Sequence, residues 1–131
     1  MFGLPTTEKG KRLEKLLSER IVFLDGAMGT LIQRLGLQET DFRKGDVRLE
    51  QMQGELKGNN DLLSITRPDV IEKIHLDYFL AGSDIVTTNT FAGTEIAQSD
   101  YRLSADLIAD LNRASVKVAR SAQAKARRAK A

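Results

Sequence analysis

The sequence predicts an α/β fold: a βαβα unit behind an N-terminal helix. Three observations carry this reading. Two short runs, 21–24 and 84–88, are apolar or β-branched and too brief to be helices. Each run gives way at once to polar residues, Asp25 after the first and Asn89 and Thr90 after the second. The segments between and after them repeat their apolar residues at helical spacing. A strand–helix–strand order implies a parallel pair joined by a right-handed crossover. Both polar ends then meet on one rim.

Taken in order, residues 1–5 read as a loose end. A helix over 6–20 places Leu13, Leu16 and Leu17 on one face, with Gly10 weakening its first half. The run 21–24 reads as a buried strand. It leads into Asp25-Gly26-Ala27-Met28-Gly29-Thr30, where the pattern breaks. Gly26 and Gly29 permit a positive φ or close approach of a ligand. Two readings of Asp25 stand side by side. It is a carboxylate on the rim where parallel α/β folds put their ligands, or it caps the helix that follows.

That helix spans 29–35, with Leu31, Ile32 and Leu35 inward and Gly36 closing it. Residues 37–60 are charged, Gln-rich and irregular, a loop with room for one helical turn. Loops of this length in compact domains are functional or disordered. Thr66 stands as a cap, Pro68 in a first turn and Asp69 at the capping-box position of the next helix. Val70, Ile71, Ile74, Tyr78 and Phe79 form its stripe, and Gly82 ends it. After the run 84–88, a last helix from about Leu103 carries Leu107, Ile108, Leu111 and Val118 on one face. It fades into an Ala/Lys/Arg tail. The division is therefore an N-terminal helix over 1–20 and one unit over 21–131.

The 131 residues suit a single domain, and 41% hydrophobic with 29% charged residues is ordinary for a globular protein. No apolar stretch approaches a membrane span, and the charge in 8–20 is wrong for a secretory signal. The expected location is the cytoplasm. With no cysteine, neither disulfides nor thiolate metal sites can form from these residues. His75 is the only histidine, so no histidine pair holds a metal. Its mid-helix place makes a structural or surface role the default. No phosphate-binding loop and no G-x-G-x-x-G occurs. Seven of the 20 basic residues fall in 113–131 with no acidic partner, leaving 13 basic against 18 acidic residues in 1–112, a net of −5. Such an end fits a nucleic-acid or membrane contact, or a solvated helix end whose cations suit the macrodipole. No aromatic residue follows Tyr101 to stack on a base, so the solvated helix end is preferred.

Four blocks carry a resemblance: Asp25-Gly26-Ala27-Met28-Gly29-Thr30, then Leu56-Lys57-Gly58-Asn59-Asn60-Asp61-Leu62-Leu63, then Arg67-Pro68-Asp69-Val70-Ile71, then 81–91 (AGSDIVTTNTF). In order and spacing they resemble the start of the homocysteine-binding (homocysteine S-methyltransferase) domain of cobalamin-dependent methionine synthases. The resemblance covers roughly 10–125. It implies the N-terminal βαβα portion of a (β/α)₈ TIM barrel, here incomplete, that binds homocysteine at the rim of its strands. It implies methyl transfer from methylcobalamin to homocysteine, forming methionine. It also implies roles: Asp25 for the homocysteine amino group, the Gly26–Ala27 backbone near its carboxylate, and Asn89 and Thr90 on the neighbouring rim. In the parent enzyme zinc on three cysteines activates the thiol and a further domain carries cobalamin.

The departures set further expectations. A (β/α)₈ barrel takes about 250 residues, so the chain reads as a fragment or a truncated product, whose partners are the remaining barrel segments or the cobalamin domain. Without the zinc cysteines it is expected to bind no metal or cofactor and to be inactive alone. Its open sheet face is expected to be exposed and to drive association. Two other functions stay open: a non-catalytic interaction or regulatory fragment, and a nucleic-acid-binding module using the basic tail.

Overall fold

The computed structural model describes residues 7–131, so the loose end expected over 1–5 lies outside the described residues. Among the described residues six α-helices follow one another: α1 (Glu8–Glu19), α2 (Met28–Gln33), α3 (Val47–Glu50), α4 (Leu63–Thr66), α5 (Pro68–Ala81) and α6 (Ala105–Lys130). The core lies between α5 and α6. Ile71 and Ile74 of α5 meet Leu107, Leu111 and Val118 of α6, with Leu62 and Leu63 beneath. Both helices carry their own signals. Gly82, at φ 114°, closes α5 with its N–H on the carbonyls of Tyr78 and Phe79. Ser104 caps α6 by accepting the N–H of Leu107 at 3.3 Å.

The expected βαβα barrel portion is not what forms. Among the described residues there is no strand, and the runs 21–24 and 84–88 touch only through one parallel bridge, Leu24 to Ile85. Asp25 N–H donates to the Ile85 carbonyl at 3.1 Å, and Ile85 N–H to the Phe23 carbonyl at 3.2 Å. A longer parallel ladder would next send Thr87 N–H to the Asp25 carbonyl. It goes instead to the Asp25 carboxylate, Oδ1, at 2.9 Å, and the pairing stops. A two-stranded pair has little to hold it when its side chains find no neighbours. Ile21, Phe23 and Leu24 are 75%, 59% and 61% exposed. The β-branched composition was real, but the packing that turns it into a sheet is missing.

The first run is held by charge as well. Arg20, closing α1, forms a two-pronged pair with Asp84, with contacts of 2.8 and 2.6 Å, and Asp84 Oδ2 also accepts Phe23 N–H at 3.0 Å. These partners hold the Asp84 carboxyl well below the usual carboxylate range. A depressed folded-state pKa contributes stability above the unfolded value, near 3.9, and loses it as pH falls through the folded one. We expect Asp84→Asn to speed amide exchange at Phe23 at neutral pH. In the unaltered chain the same protection fades only in strong acid.

Residues 37–60 are more ordered than their composition suggests. A 3₁₀ turn over Glu39–Phe42 and the helix α3 bury Phe42 and Leu49, and Leu56 closes over them. Arg43 ties the segment together, donating to Glu39 at 2.6 Å and to the carbonyls of Leu49 and Met52 at 3.0 and 2.8 Å. The Thr66 cap does not form. Thr66 Oγ1 donates back to the Leu62 carbonyl at 3.2 Å, and Arg67 takes the cap position. The basic tail is part of α6. Ala122 and Ala126 pack against Phe79, Lys125 pairs with Glu72, and Lys130 donates to the Phe79 carbonyl at 2.7 Å.

Candidate functional site

A cleft of about 640 Å³ opens where three segments converge: 25–30, 58–61 and 87–92, with Tyr101 at one side. The first segment enters α2 through Ala27, whose left-handed backbone (φ 50°) turns the chain sharply. No side chain caps this end of α2. The opening N–H groups of a helix have no partner within it, so donors are available where the segment borders the cleft. Asp25 does not cap α2. Its side chain is 5% exposed, with Oδ1 on Thr87 N–H and Oδ2 at 3.9 Å from Nδ1 of His75.

The second segment is fixed from below. Buried Asn59 exchanges amide contacts with buried Gln98 at 2.6 and 3.2 Å. Asp61 accepts the N–H of Ala92 at 2.8 Å and pins the third segment to the second. Burial raises the Asp61 carboxyl above its ordinary pKa, against the lowering by the amides of Ala92 and Phe91. Asn89 is buried and reaches the Asn60 carbonyl at 2.7 Å. Its own carbonyl accepts from Ser115 of α6 at 3.1 Å, and Ser115 Oγ lies 2.8 Å from Ser64 Oγ of α4. Thr90 folds back, with its N–H on the Thr88 carbonyl and its hydroxyl 2.8 Å from that of Thr88.

The structure thus brings Asp25, Gly26, Ala27, Asn89 and Thr90 to one cleft. Asn59, Asp61 and Tyr101 also line it, and His75 stands behind Asp25, roles that composition and periodicity did not mark. For the burial of His75 a signal was present: Ile71, His75 and Phe79 are spaced four apart, which puts the imidazole on the buried stripe of α5.

Residues 22–131 match the family model described as homocysteine S-methyltransferase. The chain belongs to that family. Homocysteine is the substrate of the family, and the cleft lies within the matched residues. Related homocysteine S-methyltransferases bind zinc, but the residues of this chain do not fit it. They include no cysteine. Among the described residues no three His, Asp or Glu side chains gather to hold a metal ion. Among the described residues no helix is long and apolar enough to cross a membrane.

Proposed function

We propose that the cleft holds the amino-acid end of homocysteine within a methyl-transfer domain of the cobalamin-dependent methionine synthase type. The carrying observation is that Asp25 and the uncapped turn 26–29 line the same cleft of about 640 Å³. An amino-acid ligand needs an anion for its ammonium and N–H donors for its carboxylate. Asp25 would take the first, and the Gly26–Ala27 backbone the second. Thr90 would lie beside the bound ligand, and Asn89 would support the rim through its ties to Asn60 and Ser115. The four sequence blocks support the methionine synthase type. Thiolate formation and methyl supply would fall to residues outside this chain.

Calorimetric titration tests this reading. L-Homocysteine should bind with one-to-one stoichiometry. Its N-acetyl derivative, which has no ammonium, should bind at least tenfold more weakly, as expected for loss of a charge-assisted hydrogen bond of about 1.5–3 kcal/mol. Equal affinity for the two would remove Asp25 from ammonium recognition.

A further inference from the structure

Both ring nitrogens of His75 are buried without a hydrogen-bond partner. Buried polar atoms in native proteins are nearly always paired, so each exception calls for a cause. The imidazole is 0% exposed, and the polar group facing it is the Asp25 carboxylate, 3.9 Å from Nδ1 to Oδ2. Asp25 Oδ1 is already held by Thr87 N–H, so Oδ2 is the oxygen left to aim. His75 sits mid-way along α5, between buried Ile71 and Phe79.

We propose that His75 is a positioning residue for Asp25: as a neutral imidazole with its proton on Nδ1, it draws in Oδ2 and fixes the direction in which the carboxylate meets a ligand ammonium. This rests on the homocysteine reading for the ligand, but not for the His75–Asp25 pair itself. Two opposed influences act on the imidazole. Burial lowers its pKa below the ordinary value, and the Asp25 carboxylate raises it by less. Nearby charges are engaged elsewhere. Glu72 of α5 pairs with Lys125 of α6, Lys73 pairs with Asp77, and Asp61 accepts the amide of Ala92. His75 therefore stays neutral at pH 7. Protonation in acid would place an imidazolium against the same carboxylate that the ligand ammonium needs.

Because His75 is the only histidine, its ring is directly visible by ¹⁵N NMR of the whole chain. We expect the Nδ1–H tautomer at pH 7. Asp25→Asn should move its titration to lower pH and weaken the tautomer preference. His75→Asn, whose amide nitrogen stands where Nδ1 does, should keep homocysteine affinity within about twofold, and His75→Leu should lose about tenfold. An Nε2–H tautomer, or ring signals unchanged by Asp25→Asn, would overturn the pairing. Homocysteine failing to bind the unaltered chain would instead sink the ligand reading, while the ring titration still decides between pairing and none.

Discussion

Leu111→Ala is expected to lower the unfolding free energy by about 2–5 kcal/mol, the cost of removing a large buried side chain and leaving part of its space empty. Leu111 is fully buried on the face where α6 meets α5. It shares its cluster with side chains of α4, α5 and α6, whose packing limits how far the site can collapse. A domain of this size has about 5–15 kcal/mol in total, so the loss is a large share. Urea denaturation reads it as a fall in midpoint with an unchanged slope. Val116, on the exposed side of the same helix, is the control, and Val116→Ala should stay within about 0.5 kcal/mol. Equal effects at the two positions would mean that α6 is not packed as described.

Asp25→Asn should weaken homocysteine binding by about 1.5–3 kcal/mol, the range for a hydrogen bond to a charged group, or roughly 10- to 150-fold. The substitution keeps the shape of the side chain and an oxygen for Thr87 N–H, so the end of the bridge between 23–25 and 84–87 persists. What it removes is the negative charge. Folding stability should therefore move far less than affinity. Titration calorimetry and urea melts on the same sample separate the two. Unchanged affinity would place the ammonium elsewhere, and a collapse of stability would make Asp25 a structural residue only.

The helices were legible because their signals are local. The stripe of α5 and that of α6 follow the 3.6-residue period, and Gly82 ends α5 as a glycine in the left-handed region does. The strands were misread because strand formation is not local. The run 21–24 has the right composition, yet Ile21, Phe23 and Leu24 face no sheet, and the Asp25 side chain takes the bond that would extend the ladder. The Ala/Lys/Arg composition of the tail suggests a solvated helix end, but part of it is packed. Ala122 and Ala126 are small because Phe79 packs against them. On the cleft, a carboxylate followed by two glycines marked 25–30 from sequence alone. Asp61 and Asn59 did not stand out, because their partners Ala92 and Gln98 lie some 30 to 40 residues away.

Chemical-shift mapping of L-homocysteine on the uniformly ¹⁵N-labelled chain decides whether the cleft binds it. We expect saturable shifts at the amides of Gly26, Ala27, Thr87 and Thr90, with the side-chain amide of Asn89 following and the amides of 113–131 unmoved. Shifts confined to other surfaces, or none at millimolar homocysteine, would contradict it.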